Sequence, residues 1–354
     1  MSSNNLPEKQ KHPTADALDE KGKLEPIINV SNLSKTFKPD IKAVDGISFQ
    51  VYSGEIFGFL GPNGAGKTTT ISMLTTLLPP TAGTAQIAGF DITANASGVR
   101  RTIGVVQQDN TTDNHMTAFE NLIFTARLQG VPVSLAKRRA AELLDLVELS
   151  DAAHRKVETY SGGMRRRLEI ACSLVNRPRV LFLDEPTLGL DVQTRSAIWK
   201  YVKNLREENR MTLFLTTHDM DEADSLCDRI AIIDHGRIVA VGSSEELKSR
   251  LGGDIIELGI KGKEGDLSEL ISRLPKVKHV IRENFVYRIK AENGEEAALS
   301  VIDAVRARGF YVTKIIVNKP SLSEVYLELT GKAFREEEPD KSSQFFGRRV
   351  DTDF

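Results

Sequence analysis

The sequence predicts a mixed α/β domain followed by a smaller α+β domain. From Ile27 onward, short apolar runs alternate with amphipathic segments, which is typical of strands that alternate with helices. Three of these runs, "FGFL", "VLFL" and "LFL", are continuously apolar, as expected for central strands of a parallel sheet that are buried on both faces. The pattern of strands and helices begins again after residue 252, which indicates a second domain over residues 252–330.

The bulk composition narrows the class of protein. A chain of 354 residues can hold more than one domain. Its 47 Lys and Arg face 49 Asp and Glu, so it lacks the excess positive charge of a dedicated nucleic-acid binder, and no nucleic-acid partner is expected. No apolar run approaches the ~18–20 residues of a membrane span, and the N-terminus has no hydrophobic centre of a secretory signal. We therefore expect a cytoplasmic protein that can dock on a membrane protein.

The two ends and the two cysteines are predicted to carry no chemistry. Residues 1–26 are polar, charged and poor in aromatics, and residues 331–354 form a mixed-charge tail, so both are expected to be disordered. Cys172 and Cys227 fall in separate segments without metal-ligand spacing. Reduced, buried thiols are therefore expected rather than a disulfide or a metal site.

Between these ends, residues 27–250 carry the α/β pattern with one helical interruption. "TAFENLIFTARLQG" and "SLAKRRAAELLDLVEL" repeat apolar residues at helical spacing, which predicts a helical subdomain over about residues 109–175. In the second domain, "DIIELGI", "FVYRIK" and "YVTKIIV" alternate like half-buried strands. "EEAALSVIDAVRARG" is a predicted helix that stops at Gly309, and "SLSEVYLELTG" is a closing helix.

A glycine-rich segment, "GPNGAGKT", fits the phosphate-binding pattern G-x-x-x-x-G-K-[ST] and lies between a predicted strand and a predicted helix. In such a loop the backbone N–H groups point at phosphates at the start of a helix, whose dipole favours anions. Lys67 is predicted to reach the β- and γ-phosphates, and the Thr68 hydroxyl to bind Mg²⁺. The predicted nucleotide-binding residues here are Gly61, Pro62, Asn63, Gly64, Ala65, Gly66, Lys67, Thr68 and Thr69.

Polar side chains end two further apolar strands. Asp184 closes "VLFLD", at the carboxyl end where a strand of an open α/β sheet meets its ligand, and suits the Mg²⁺ shell. Glu185 follows it and is the predicted catalytic carboxylate that polarises water. His218 ends "TLFLTTH" and is predicted to hydrogen-bond the γ-phosphate; alone, it would be an ordinary strand-end residue.

These motifs resemble those of the ATP-binding cassette (ABC) ATPases. "GPNGAGKTTT", "VVQQ", "YSGGMRRRLEIACSLVNRPRVLFLDEPTLGLD" and "LTTHD" follow the order and approximate spacing of that family over roughly residues 27–250. Within it, "YSGGMRRRLEIA" and "PSLSEVYLELTG" are similar to the drug-resistance and ABC-2-type exporters, typified by the daunorubicin-resistance ATPases. The resemblance implies a P-loop NTPase core that hydrolyses ATP with Mg²⁺.

The resemblance assigns roles to residues outside the phosphate loop. Gln108, the last residue of "VVQQ", matches a catalytic glutamine that contacts Mg²⁺ or water and senses the transmembrane partner; Gln107 replaces the usual proline before it. Phe37 in "LSKTF" matches an aromatic residue that stacks on adenine, with core packing as the alternative. Lys67, Glu185 and His218 complete the implied catalytic group.

The same resemblance implies a second cassette. Ser161, Gly162 and Gly163 match the signature loop, with "YSGGM" in place of the more usual Leu-Ser-Gly-Gly-Gln, and contact ATP held by the other cassette. Asp191 in "LGLD" matches an acid that works across that interface. Because the chain has one copy of each motif, the resemblance implies a homodimer, or a paired cassette, with ATP between the subunits.

Two kinds of ABC protein fit these features. The leading interpretation is the ATP-hydrolysing subunit of a drug-, antibiotic- or lipid-type exporter, on the cytoplasmic face of a bacterial or archaeal membrane. It would drive a separate integral-membrane permease that docks at the helical subdomain and Gln108. The alternative is a soluble ABC ATPase that acts on ribosomes or DNA. A simple P-loop kinase does not fit, because it lacks the SGG helix.

The arginines of "YSGGMRRRLEIA" have a simpler interpretation. Ser161 is predicted to cap a helix whose buried stripe is Met164, Leu168, Ala171 and Val175. Most of the three arginines are then expected to form a solvated face, with Arg165 near Glu169, and one or two of them are expected to help attract the nucleotide.

Overall fold

The computed structural model describes residues 26–209, 211–261, 265–283 and 286–331. The predicted disordered segments 1–26 and 331–354 therefore lie outside the described residues, apart from one residue of each. None of the described helices combines the length and the apolar character that a membrane span requires.

The first domain contains ten strands and eight helices among the described residues. The strands are β1 (Pro26–Phe37), β2 (Ile41–Tyr52), β3 (Ile56–Leu60), β4 (Ala82–Ile87), β5 (Phe90–Asp91), β6 (Ile103–Val106), β7 (Val180–Asp184), β8 (Thr212–Thr217), β9 (Arg229–Asp234) and β10 (Arg237–Gly242). The helices are α1 (Lys67–Leu74), α2 (Ala96–Thr102), α3 (Ala118–Leu128), α4 (Val133–Leu146), α5 (Gly162–Ser173), α6 (Val192–Asn209), α7 (Met220–Leu226) and α8 (Ser244–Ser249).

Six strands form the central sheet in the order β10-β9-β3-β8-β7-β6. All neighbouring pairs are parallel except β10 with β9, which is antiparallel. Every residue of β3, β7 and β8 is buried, as the continuously apolar runs predict. The predicted α/β fold class is thereby confirmed.

A second, antiparallel sheet with the order β2-β1-β4-β5 was not predicted from the sequence. It shares one apolar core with the central sheet. Phe49 of β2 stacks on Phe57 of β3 with 5.5 Å between ring centroids, and Phe214 of β8 lies 5.9 Å from Phe49. These aromatic contacts join the two sheets around an interior that positions the strand ends.

The helical region packs as its own cluster. α3 and α4 match the two segments of helical spacing, and they share a buried core with α5 that includes Leu122, Leu144 and Leu168. Thr117 and Glu120 form a reciprocal capping box at the start of α3. Two short 3₁₀ turns, Ser150–Ala152 and Val157–Thr159, connect α4 to α5.

The second domain is a four-stranded antiparallel sheet with the order β12-β13-β11-β14. Its elements are β11 (Asp254–Lys261), α9 (Ser268–Ser272), β12 (Val277–Glu283), β13 (Val286–Ala291), α10 (Gly294–Ala307) and β14 (Tyr311–Asn318). This βαββαβ order is the ferredoxin-like arrangement. The sequence interpretation missed β12. α9 and α10 cover one face and share its apolar core, whereas Ile281 and Ile316 are exposed.

The last helix, α11 (Leu322–Thr330), returns to the first domain. Leu322, Val325 and Tyr326 are buried in a cluster with residues of β9, α7 and α8. The Tyr326 hydroxyl donates a hydrogen bond of 3.0 Å to the Asp234 carboxylate at the end of β9. The closing helix predicted from "SLSEVYLELTG" therefore ties the second domain to the central sheet of the first.

Candidate functional site

The predicted catalytic residues follow four neighbouring parallel strands. β3, β8, β7 and β6 lie side by side and are followed by the phosphate loop, His218, Glu185 and Gln108, respectively. The carboxyl ends of parallel strands meet at one edge of the sheet, which is where open α/β sheets bind ligands. Segments that are distant in sequence therefore meet because of strand order.

The phosphate loop requires glycine at two points. Gly66, the N-cap of α1, has φ 104°, and a Cβ there would lie 2.4 Å from the Ala43 carbonyl oxygen. A Cβ on Gly61 would lie 2.4 Å from the Ile233 carbonyl oxygen. A side chain at either position would collide with backbone, so these glycines hold the loop against β2 and β9.

Lys67 lies at the centre of the site, with its side chain only 4% exposed. Its Nζ is 3.1 Å from Glu185 Oε1 and donates hydrogen bonds to the carbonyl oxygens of Gly61 (2.8 Å) and Pro62 (3.2 Å). Burial lowers the pKa of Lys67, and the Glu185 charge opposes that shift. The ammonium is thus held at the start of α1, where an anion is favoured.

Glu185 is held between two groups that favour its ionised form. Its Oε2 lies 3.1 Å from His218 Nδ1, opposite the contact with Lys67. Burial opposes ionisation, but the hydrogen bond with His218 and the charge of Lys67 outweigh it and lower the pKa of Glu185. The same hydrogen bond raises the pKa of His218. The geometry therefore provides a buried carboxylate with a histidine partner.

Asp184 has the environment of a Mg²⁺ ligand. Burial raises the pKa of its carboxyl, while hydrogen bonds from the Thr216 and Thr68 hydroxyls lower it. Thr216 Oγ1 donates to Asp184 Oδ1. A carboxylate beside a hydroxyl on a helix N-terminus is the hard-oxygen donor set that Mg²⁺ uses together with phosphate oxygens and water. Asp184 and Thr68 therefore fit the predicted metal.

Gln108 and Phe37 are placed at the surface. Gln108 is exposed in the loop after β6, and within the described residues its side chain makes no hydrogen bond. Phe37, the last residue of β1, is 40% exposed, which argues against the alternative of core packing. Lys35 Nζ lies 5.4 Å from the centroid of its ring. Both assigned roles remain predictions.

The predicted signature residues lie at the start of α5. Ser161 caps α5, because its Oγ accepts the Met164 N–H at 3.3 Å, as predicted. A Cβ on Gly163 would lie 2.4 Å from Thr194 Cγ2, so this glycine permits close packing on α6. Asp191 accepts two hydrogen bonds from Thr194, at 2.9 Å and 2.6 Å. No hydrogen bond or ion pair among the described residues joins Ser161, Gly162, Gly163 or Asp191 to Lys67 or Glu185.

The predicted solvated face of arginines is wrong for Arg166, and so is the pairing of Arg165 with Glu169. Arg166 is 7% exposed and pairs with Glu169 at 2.8 Å, whereas Arg165 donates to the Glu158 carbonyl. Arg167 donates to the Val147 carbonyl. Arg166 lies one turn before Ile170, which is fully buried, so α5 has a second buried stripe beside the predicted one. The spacing of Arg166 and Ile170 is the signal in the sequence that could have revealed the burial of Arg166.

A further polar cluster that the sequence did not reveal lies beside the site. Glu222 of α7 is 1% exposed, and one of its oxygens accepts hydrogen bonds from Thr187 (2.7 Å) and Trp199 (3.0 Å). Burial raises the pKa of this carboxyl. Arg195 pairs with Asp219, the N-cap of α7. These bonds connect the segment after Glu185 to the helix after His218.

The fold and the site together define a P-loop ATPase. The model of the ABC transporter family matches residues 44–188, and that of the C-terminal domain of DrrA1-3-like ATP-binding proteins matches residues 242–330. The daunorubicin/doxorubicin resistance ATP-binding protein DrrA of Streptomyces peucetius is 42% identical over 307 residues, covering 86% of this chain and 92% of that protein. The linearmycin resistance ATP-binding protein LnrL of Bacillus subtilis is 39% identical and covers 88% of this chain and 100% of that protein.

Among solved structures, the dimeric ATP-binding cassette MJ0796 bound to ADP and Pi matches with a TM-score of 0.56 and 28% identity, over 61% of this chain and 98% of that one. The chain belongs to the ABC transporter family and is one of its ATP-hydrolysing, ATP-binding subunits. The predicted family and enzyme class are thereby confirmed.

Proposed function

We propose that this chain is the ATP-driven motor of an exporter for a drug-, antibiotic- or lipid-type substrate, and that its partner is a separate integral-membrane permease. The names of its relatives, which refer to resistance to daunorubicin, doxorubicin and linearmycin, support the substrate class. The motor lies on the cytoplasmic face of the cell membrane.

The observation that carries this proposal is the position of Glu185 between Lys67 and His218, both 3.1 Å away. A γ-phosphate at the loop competes for Lys67, which releases Glu185 Oε1 to accept a hydrogen bond from water. His218 holds Oε2, so the carboxylate keeps its orientation. Glu185 then orients the water for in-line attack on the γ-phosphorus, while Lys67 opposes the developing charge.

The metal in this proposal is Mg²⁺, which Thr68, Asp184 and Gln108 would hold. There it would neutralise charge on the β- and γ-phosphates. Thr216 contributes by holding both acids: its hydroxyl donates to Asp184 and accepts the Glu185 N–H at 3.1 Å. Phe37 stacks on the adenine, for which its exposed ring is suited.

The chain works as a homodimer in this proposal. Ser161, Gly162 and Asp191 are exposed, and their backbone and side chains are available to a nucleotide bound by another subunit. The start of α5 favours an anion. A dimeric structure of a similar cassette with ADP and Pi supports this arrangement. ATP then closes the dimer, and hydrolysis opens it.

The permease docks on the helical subdomain. Phe124, Leu128 and Val133 are 50%, 73% and 47% exposed on α3 and α4, which is an unusual concentration of apolar surface on one short segment. Gln108 is exposed in the loop after β6, and the residues that follow it lead into this subdomain. Contact with the permease is thereby passed to the nucleotide site.

The proposal is tested with Glu185→Gln, which keeps the shape of the side chain and removes its charge. We expect turnover to fall about 10³-fold, since a preorganised group in the transition state is worth that much, while ATP binding persists. With ATP the variant should elute as a dimer in size-exclusion chromatography, and with ADP as a monomer. Turnover at the wild-type rate would refute the assignment of Glu185.

The partner is tested by purification from membranes. A tagged chain should co-purify with an integral-membrane protein of several ~20-residue spans, and vesicles that contain both should transport substrate on addition of ATP. Replacing Leu128 with Asp should abolish co-purification and leave basal ATP hydrolysis intact. Recovery of the chain with ribosomes or DNA, and not with membranes, would favour the soluble alternative.

A further inference from the structure

We propose that Arg166 is a positioning residue that holds the backbone of Glu185 in its working conformation and connects it to the loop after β6. This inference rests on the proposed role of Glu185 in hydrolysis. Neither the sequence motifs nor the family resemblance assigns Arg166 such a role. It follows from the contacts of one buried guanidinium.

All five N–H donors of Arg166 have an acceptor, and the side chain is only 8% exposed. Nε donates to one carbonyl, Nη2 to two, and Nη1 to a carbonyl and a carboxylate. The acceptors are Pro186 O (2.8 Å), Asp184 O (3.0 Å), Glu185 O (3.2 Å), Gln107 O (2.6 Å) and Glu169 Oε2 (2.8 Å). Four of the five bonds reach the carboxyl edge of the sheet, one at the end of β7 and three in the loops that follow β6 and β7.

The backbone conformation of Glu185 explains why these hydrogen bonds from Arg166 are needed. Its φ is 46°, in the left-handed region that residues with a side chain rarely adopt. Strained backbone of this kind persists only where the surroundings determine it. Arg166 binds the carbonyls of three successive residues, 184–186, and so holds the chain on both sides of the strained residue.

The same guanidinium reaches the loop that contains Gln108. Arg166 binds the Gln107 carbonyl, and its partner Glu169 accepts the Thr111 N–H at 3.3 Å. Arg166 and Glu169 therefore hydrogen-bond both ends of the loop segment 107–111. A shift of this loop, such as one caused by permease contact, is passed through a rigid planar group to the backbone of Glu185.

Lysine cannot replace arginine at this position. It is a point charge with three donors, whereas the guanidinium presents five in a fixed plane. Arg166→Lys leaves at least two buried acceptors without a donor and releases the carbonyls around Glu185. Since a misplacement of about 1 Å in catalytic geometry can cost 10²-fold, we expect kcat to fall about 10- to 100-fold.

The test compares Arg166→Lys with Arg167→Lys, the same substitution at the next position of α5. Arg167 bonds carbonyls of the helical subdomain instead of the catalytic loops, so its variant should retain kcat within about twofold. For Arg166→Lys we expect the loss in kcat, with the Kd for an ATP analogue within about twofold because Lys67 and its loop are unchanged. A purely structural role would instead lower the folded fraction and leave kcat per folded molecule unchanged.

A second variant decides the matter if Arg166→Lys does not fold. Glu169→Gln keeps the size of the side chain but cannot accept from both Arg166 and Thr111, and we expect kcat to fall several-fold. A wild-type kcat in every folded variant at these two positions would overturn the inference.

Combination with Glu185→Gln separates this inference from the proposed function. If Arg166 acts through Glu185, Arg166→Lys should reduce turnover little further in the Glu185→Gln background, because residues that act as a unit are non-additive. A full additional loss contradicts the inference. An inactive Glu185→Gln with a normal Arg166→Lys refutes only the role of Arg166, whereas a fully active Glu185→Gln refutes the proposed function itself.

Discussion

The central sheet of the first domain and the sheet of the ferredoxin-like domain differ in the kinds of side chain that they bury. Around the carboxyl edge of the central sheet, charged side chains are taken out of water, and within the described residues all buried charged groups belong to the first domain. They are Lys67, Arg166, Glu169, Asp184, Glu185 and Glu222. The second domain buries an apolar core and keeps its ion pairs, such as Lys314 with Glu257, at the surface.

The difference in buried side chains indicates that residues for chemistry and residues for stability lie in different regions of the molecule. A buried charge costs free energy unless it is paired and hydrogen-bonded, and an apolar replacement is often as stable. We therefore expect that a cluster of such groups at a strand edge serves chemistry. The described residues of the second domain show no such cluster, so we expect its sheet to serve packing and contact. Substitutions should then affect activity in one region and stability in the other.

The largest expected effect is at Lys67. Lys67→Ala removes the ammonium that we propose binds the phosphates and leaves the Glu185 carboxylate with one of its two side-chain partners, so kcat/KM for ATP should fall about 10³-fold. A nucleotide-binding titration should show that much of the loss is in affinity. Lys314→Ala, at an exposed ion pair of the second domain, is the control and should change neither quantity more than twofold. Equal losses in both variants would contradict the comparison.

The reverse case is the core of the second domain. Ile289 of β13 is fully buried, and Ile289→Ala should destabilise that domain by about 3 kcal/mol, the typical cost of such a cavity. Ile281→Ala is the same change on the exposed face of the sheet and should cost less than about 0.5 kcal/mol. Calorimetry measures both, and ATP hydrolysis at low temperature should stay normal. A strong loss of activity in folded Ile289→Ala would show that the domains are functionally coupled.

Features that depend on residues close together in the sequence could be predicted in both regions, and features that depend on distant residues could not. That Lys67, Asp184, Glu185 and His218 lie together could be predicted, because each lies at or after the end of an apolar strand and parallel strands bring their carboxyl ends together; their roles stay predictions. The sheet that contains β1 was missed because β1 lacks the regular alternation of a half-buried strand: Ile27 and Ile28 are both buried, and Ser31 and Asn32 are both exposed where its pairing with β2 is irregular. β12, "VKHVIRE", is short and carries charges at four of seven positions when its histidine is counted.

Contacts between distant segments were beyond sequence reasoning. Arg166 and Gln107 are 59 residues apart, and nothing local marks the carbonyls that the guanidinium binds. The three arginines look alike in the sequence, but their position on α5 gives each a different neighbour. The stripe that Arg166 shares with Ile170 indicates which arginine is buried, but only the packing of α5 against the loop after β6 and the end of β7 shows which carbonyls its guanidinium binds.

His218 should show a pH-dependent effect. Its pKa is raised in the folded state by Glu185, so the interaction stabilises the fold fully below the unfolded pKa, about 6.5, and this contribution is lost as the pH rises through the folded-state pKa. His218→Ala should therefore cost about 2 kcal/mol near pH 6 and less near pH 9, as expected for a charged hydrogen bond. Thermal unfolding at the two pH values measures this.

The smallest expected effect is at the contact between the two regions. The Tyr326 hydroxyl on α11 donates to Asp234 at the end of β9, next to β3 and its phosphate loop, and burial raises the pKa of this tyrosine to about 12. It therefore stays a neutral donor across the physiological range. Tyr326→Phe keeps the ring in its apolar cluster and should destabilise the protein by about 1 kcal/mol. Unfolding by denaturant measures this loss of stability.

The rate of ATP hydrolysis by the same variant shows whether α11 has a role beyond stability. If α11 serves only as an anchor, kcat is unchanged. A lower kcat without a change in stability would mean that α11 also supports the phosphate loop, and the division between the two regions would then be less sharp than their buried charges indicate.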